Sequence, residues 1–300
     1  MGVCVYCGEN AGVFRTKHPS CEGAAELHAL DAQREREQSL KEVSEISSAL
    51  NSEITDYLAG SARRRAVEDA VGRLAAHTRG SVKKVAAEFI LATLARDYLA
   101  GGKYPSATVE DRCNQLADHL GLDIEAFDPG RTWIRFVMHC VMRDLDEGKF
   151  PTRVRLAGTL PFLLEKKERV CWGFPGAQYL QDKVVRNDMG SIVGISTRVH
   201  DRSVIMINWA IPKIQASQSL VWQDEGLLVV TDRALYFKGV HKALKVRLKD
   251  VVTLSPYTDG FDFCKGGITA RRQVFQTGAD EGWFAYALVK AMAQSGSELD

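Results

Sequence analysis

Three hundred residues, of which 45% are hydrophobic and 26% charged, make an ordinary globular composition. The length exceeds what one core usually fills, so two or three domains are expected. A net charge of only +1 excludes whole-protein attraction to DNA or to an acidic membrane and leaves any such binding to a local patch. The longest apolar stretches, such as SVIMINWAIP at 203–212, fall short of the ~18 residues a membrane span requires. With no secretory signal before Cys4, the chain reads as cytoplasmic.

The first twenty-one residues hold Cys4, Cys7, His18 and Cys21, spaced Cys, two residues, Cys, ten residues, His, two residues, Cys. Each close pair can sit on a tight turn that presents two ligands to one ion. Zinc takes four tetrahedral N and S ligands, and three cysteines with one histidine form a closed structural set. Residues 1–24 contain too few large apolar side chains for a core, so the ion would have to supply the folding energy. Gly8 and Gly12 suit the turns of such a knuckle. A redox reading of the CxxC needs a thioredoxin-like strand-to-helix turn, and no such unit follows; unliganded thiols are the third reading. His28 is a substitute ligand in spacing, but it falls on the helix that follows. Cys113, Cys140, Cys171 and Cys264 are scattered, which reads as reduced thiols and not as a disulfide framework.

Residues 25–60 are rich in Ala, Glu, Lys, Gln and Arg without proline, with Leu40, Val43, Ile46, Leu50, Ile54 and Tyr57 in steps of three and four. That spacing predicts one long helix with an apolar stripe. The Arg63, Arg64, Arg65 triplet beside Glu68 and Asp69 reads either as phosphate contacts or as a solvated helix face. Residues 61–152 are helical throughout, with ARDYLAGGKYP (95–105) and MRDLDEGKFP (142–151) as two helix stops of similar composition. Ser106 or Thr108 caps a helix through VEDRCNQLADHLGL, whose first turn carries Glu110 and Asp111. The stretch RDYLAGGKYPSATVEDRCNQLADHLGL resembles the TerB-like helical domain of bacterial tellurite-resistance and stress proteins. Its turn here is Ala-Gly-Gly instead of Asp-Gly, and the acidic cluster that carries metal binding in that family is thin.

From 153 to 300 the pattern changes to short β-branched and aromatic runs separated by turns, from ERVCWGF and AQYLQDKVV, read as two strands, to RQVFQTG. Such spacing predicts an antiparallel barrel or sandwich. EGWFAYALVKAMAQ then predicts an amphipathic helix with Trp283, Phe284, Leu288, Ala291 and Met292 on one face and Asp280 as cap. GLLVVTDRALYFKG (226–239), KALKVRLKDVVTLSPYTDGFDFCKGG and QVFQTGADEGWFAYAL resemble a bacterial pleckstrin-homology or GRAM-type domain. Strands between 177 and 210 exceed a minimal barrel and read as an inserted hairpin. The expected architecture is therefore α+β: zinc knuckle and long helix, all-α middle, and an antiparallel β-domain closed by a C-terminal helix.

The residues reveal no convincing catalytic constellation. His139 and Cys140 are adjacent on a helix and point about 100° apart, so they do not face each other. His200 and His241 flank turns, where exposure is the default. Asp259 and Asp262 read as a turn residue and a strand residue more simply than as a carboxylate pair. The basic residues of the last domain carry more. Lys238, His241, Lys242, Lys245, Arg247 and Lys249 crowd one turn and its strands, and Lys245, Arg247 and Lys249 alternate onto one face. That face either meets anionic lipid headgroups or an acidic protein partner, or is a solubilising outer surface. Arg271 and Arg272 would join it if their strands adjoin. The leading expectation is a non-enzymatic adaptor or sensor that docks through Lys242, Lys245, Arg247 and Lys249. The alternative is nucleic-acid binding through the knuckle, Arg15, Lys17 and Arg63 to Arg65.

Overall fold

The structure, a computed structural model, describes residues 2–7, 9–12, 16–101, 104–151, 153–154, 160–182, 220–266 and 271–295. The chain divides into two compact units, Met1–Trp133 and Ile134–Asp300.

The first unit opens with a short antiparallel hairpin, β1 (Gly2–Val3) and β2 (Asn10–Gly12). Helix α1 (Pro19–Ala59) follows. Its start has a physical cause: His18 holds extended backbone angles as N-cap, and Pro19, which has no N–H to leave unsatisfied, takes the first helical position. It stops at Gly60, whose φ of +100° lets its N–H reach the carbonyls of Asp56 and Tyr57. Forty-one residues span about 60 Å at 1.5 Å each. The apolar stripe is packed only toward its C-terminal end. Leu50, Ile54, Tyr57 and Leu58 are buried, whereas Leu40 is 69% exposed, because α2 (Arg64–Thr78), α3 (Val82–Thr93) and α4 (Ala107–Leu120) meet only the later turns. These helices contribute Val67, Val71, Leu74, Ile90, Cys113 and Leu116 to the buried set.

Helix α3 runs on into a π-helical turn, Leu94–Leu99, so the first of the two helix stops is a widened turn. Ser106, one of the two expected caps, is the N-cap of α4, its Oγ accepting from the Val109 amide at 3.4 Å.

Helix α5 (Thr132–Asp146) reads from sequence as part of the helical block, but from Ile134 onward it belongs to the second unit. There Met138, Val141 and Met142 are buried in the same cluster as the sheet residues. Helical periodicity identifies a buried face without saying which core it faces. Gly148, with φ +71°, ends this helix as expected.

Among the described residues the unit further holds a seven-stranded antiparallel sheet: β3 (Val170–Asp182), β4 (Leu220–Thr231), β5 (Ala234–Gly239), β6 (Ala243–Arg247), β7 (Val251–Tyr257), β8 (Gly260–Lys265) and β9 (Gln273–Gln276). The strand order is β6-β5-β4-β3-β9-β8-β7. Its two edges, β6 and β7, are consecutive in the chain and joined only by the 3-10 turn Leu248–Asp250. Laid flat, seven strands would set those edges about 29 Å apart. Four Cα steps, from Arg247 to Val251, reach about 14 Å at most. The sheet therefore has to curl upon itself. Strand β3, read from sequence as two strands, is one bent strand: Pro175 and Gly176 oppose a single residue of β4, and Gly176 has a φ of +71°, which is the geometry of a β-bulge. Of the expected inserted hairpin, residues 183–210 lie outside the described residues.

Phe174, Phe237, Phe261, Phe263 and Phe275 fill the curl and are fully buried. Phe263 stacks on Phe275 at 6.0 Å between ring centroids, and Tyr179 lies 5.3 Å from Phe275. Helix α6 (Gly282–Ser295) inserts Phe284, Ala285, Leu288, Val289 and Met292 into this cluster. At its start Asp280 acts through its carbonyl, which accepts from the Trp283 indole at 3.1 Å, and the Glu281 carbonyl takes the first helical bond, from Ala285.

Gly282 marks the tightest approach between helix and sheet, since a Cβ there would lie 2.4 Å from the Gly260 amide nitrogen and 2.5 Å from the Asp259 carbonyl carbon. Helix propensity alone favours alanine over glycine by roughly 1 kcal/mol. The backbone clash outweighs it, so Gly282→Ala should destabilise the second unit by about 1–3 kcal/mol, measured as a lower urea midpoint for its unfolding transition.

Candidate functional site

The four nominated ligands come together. The ligand atoms of Cys4, Cys7, His18 and Cys21 all lie within 4.8 Å of one another. Cys4 follows β1, Cys7 closes the turn after it, and His18 and Cys21 flank the first turn of α1. The strand end is fixed by the Cys4 amide donating to the Glu9 carbonyl at 2.7 Å and the Val5 amide to that of Thr16 at 3.0 Å. His18 Nδ1 stands 3.4 Å from Cys7 Sγ and 3.7 Å from Cys21 Sγ. A tetrahedron with metal–sulfur bonds of about 2.3 Å and metal–nitrogen bonds of about 2.05 Å has edges of roughly 3.6–3.8 Å. The donor set and its spacing thus fit one ion held by four protein ligands. His28 is exposed on α1 and stands outside the cluster.

The thiols are electrically unequal. Burial of Cys4 opposes its ionisation, but the backbone N–H groups of Cys7, Tyr6 and His18 outweigh this and bring its pKa down to about 6. Burial, followed by the neighbouring thiols of Cys7 and Cys4, pushes Cys21 up to about 11. Three adjacent sulfurs resist ionising together, and a divalent cation among them removes that penalty.

The basic residues of the second unit form a different arrangement. A cleft of about 730 Å³ is lined by Lys167, Arg169, Arg233, Lys245, Arg247 and Lys249, with Glu165 and Asp232 as the acidic members. Sequence reading nominated Lys245, Arg247 and Lys249 for this face. Lys242 stands before the other end of β6, at the hairpin turn, and does not line the cleft. Lys167, Arg169 and Arg233 were missed. The charged run at 165–169 and the Asp-Arg turn at 232–233 were the available signals, but only the pairing of β4, β5 and β6 brings them beside β6. Arg272 is held by Asp182 at 3.3 Å and Asp262 at 3.7 Å, and neither it nor Arg271 lines this cleft.

Within the cleft, Lys245 Nζ donates to Glu165 Oε1 at 2.6 Å and lies 5.0 Å from the Tyr236 ring centroid. The Glu165 contact first, then Tyr236, raises the lysine pKa, so this cation persists throughout the physiological range. Arg169 Nε pairs with Asp232 Oδ2 at 3.1 Å, and Arg247 Nε with Asp250 Oδ2 at 2.9 Å. Behind this wall, the Glu168 carboxylate accepts from Thr231 Oγ1 at 2.5 Å and from the Tyr236 hydroxyl at 2.8 Å. The same Thr231 oxygen accepts from the Ala234 amide at 2.8 Å, which fixes the β4–β5 turn bearing Arg233.

The hairpin turn carrying Lys242 is held by Asp224. Its Oδ2 accepts from the amides of His241 and Lys242 at 2.6 Å each, and a Cβ on Gly239 would sit 2.3 Å from that oxygen. His139 is pushed down in pKa by burial and then by Arg135, and its ring lies 4.9 Å from that of Trp283. The Tyr257 hydroxyl donates to Asp262 at 2.9 Å, and the Gln276 amide to Asp259 at 2.6 Å. Arg15 and His200 lie outside the described residues.

The chain matches no family model and no curated protein.

Two measurements check these geometries. The intact chain should take up one cobalt(II) ion with the visible ligand-field bands of a thiolate-bound tetrahedral centre. Cys4→Ser, Cys7→Ser or Cys21→Ser should each weaken or abolish those bands, and acidification should weaken binding because protons compete for the thiolates. For Asp224, burial works against ionisation, yet the amides of Lys242, His241, Glu225 and Val240 hold the carboxyl below its ordinary range. The stability it gives the hairpin is therefore present above the unfolded carboxyl pKa of ~4 and lost as pH falls through the lower folded value. Asp224→Asn should remove this dependence and speed amide exchange at His241 and Lys242.

Proposed function

We propose that the chain is a non-enzymatic docking protein of the cytoplasm, with a structural zinc ion at its N-terminus and a PH/GRAM-like second unit that presents a basic face to an anionic membrane surface. Three sulfurs and one imidazole, with the whole tetrahedron supplied by protein, suit zinc in a structural role and leave no open position for a substrate. Cys4, Cys7, His18 and Cys21 would hold the ion, and its contribution there is to fold residues too few to make a core. Two antiparallel meanders, β3 to β6 and β7 to β9, plugged by one C-terminal helix, support the PH/GRAM-like reading. The Ser106 cap of α4 and the α2 to α4 packing are consistent with a TerB-like helical unit.

The observation that carries the docking role is the cleft of about 730 Å³, whose six cationic side chains face two carboxylates. A net excess of positive charge concentrated on one face of a nearly neutral chain attracts anionic headgroups at about 1 kcal/mol per basic residue. Lys242, beyond the cleft, extends the same charge along the hairpin. No helix among the described residues is long and apolar enough to cross a membrane, so contact with a bilayer would be at its surface.

Sedimentation with phosphatidylserine-containing vesicles tests this. Wild-type protein should pellet at low salt, and the combined change Lys242→Glu, Lys245→Glu and Arg247→Glu should weaken binding by about a hundredfold or more. A wild-type protein that ignores such vesicles at low ionic strength removes the membrane reading and leaves an acidic protein partner as the occupant of the face.

A further inference from the structure

The arginine triplet belongs to a second basic concavity, formed entirely by residues of the first unit. A recess of about 520 Å³ is bordered by Arg63, Arg64, Arg65, Arg112, Tyr57 and Asp111, so four guanidinium groups share it with one carboxylate. Arg112 is the fixed member. Its Nη1 donates to the Tyr57 carbonyl at 2.6 Å, its guanidinium carbon lies 5.3 Å from the Tyr57 ring centroid, and a Cβ on Gly60 would be 3.5 Å from its Nη2. The end of α1 thereby orients the head group and uses one of its five N–H donors. Arg64 is steadied through Nε, 2.9 Å from Glu68 Oε1, an oxygen that also lies 3.1 Å from His119 Nε2. Arg63 and Arg65 are exposed and form no ion pair among the described residues.

The backbone contributes in the same sense. Arg63 is the N-cap of α2 but supplies no side-chain acceptor, and the first turn has no acidic residue, so the positive end of a fifteen-residue helix borders the recess uncompensated. Several cations around one concavity repel each other unless an anion joins them. Guanidinium forks match the paired oxygens of phosphate in a planar, two-bond geometry that an ammonium cannot reproduce. With Glu68 taken up by Arg64 and Asp111 in the lining, four forks and a helix terminus still leave a net positive charge, and the volume falls within the usual range for small-molecule clefts.

We infer that this recess binds a small molecule through a di- or triphosphate group, with Arg63, Arg65 and Arg112 as its principal ligands. The inference is independent of the docking role of the second unit.

Isothermal titration calorimetry of the intact chain with inorganic pyrophosphate tests it. The expected result is one site whose affinity falls with added salt. The exposed pair Arg63→Ala and Arg65→Ala should lose at least about tenfold in affinity through the loss of charged hydrogen bonds, with unchanged circular dichroism. Arg112→Lys, which keeps the charge and removes the fork, should also weaken binding. Absence of binding overturns the inference, and so does binding that survives the paired change, as metal abstraction from the thiolates by pyrophosphate would. Duplex DNA that binds through the same arginines and is not displaced by excess pyrophosphate would overturn it in favour of a nucleic acid.

Discussion

The second unit depends on one constraint of chain connectivity: the two edge strands of a seven-stranded sheet are neighbours in sequence and only three residues separate them. A flat sheet would leave β6 and β7 too far apart for Leu248–Asp250 to join. Curling brings the inward faces of β3, β5, β8 and β9 together, and their phenylalanines fill the interior. Curling also leaves an open end, and α6 fills it with Phe284, Leu288 and Met292. The outward side chains of β6 then share a surface with the β4–β5 turn and the segment leading into β3, which is how Lys245 and Arg247 come to stand beside Arg233 and Lys167.

What could be read from the sequence and what could not follows the distance over which each feature is specified. The Cys/His cluster is local. Cys4 to Cys21 lie within one short segment, and the residues that orient them, Pro19 and His18, sit in the same run, so spacing alone was informative. Strands such as 234–239 declared themselves by composition, and the C-terminal helix by its period. The merging of two short runs into β3 was hidden because Pro175 and Gly176 look like a turn when their partner Leu227 is not in view. The basic cleft was only half visible, since Glu165 and Lys245 are eighty positions apart. Likewise Arg112 meets Tyr57 across fifty-five positions, and the arginine triplet gave no hint of that fourth member.

Buried or half-buried carboxylates organise the polar parts of this protein more than surface ion pairs do. Asp224 gathers the amides of a hairpin turn, Glu168 gathers the hydroxyls of Thr231 and Tyr236, and Glu68 stands between Arg64 and His119. Asp224 and Glu168 each satisfy several donors at once, where unpaired groups would incur a desolvation penalty, whereas the contacts of Glu68 are ion-pair distances alone. Exposed pairs such as Lys41 with Glu45 contribute little by comparison.

Helix α1 bears His18 and Cys21 of the Cys/His cluster at its start and Tyr57 of the arginine-bordered recess at its end. Cys21 and Tyr57 are thirty-six residues apart on an unbroken helix, or about 54 Å along its axis. Two points so far apart on one strut cannot belong to one small-molecule site, so an occupant of either end leaves the other end untouched.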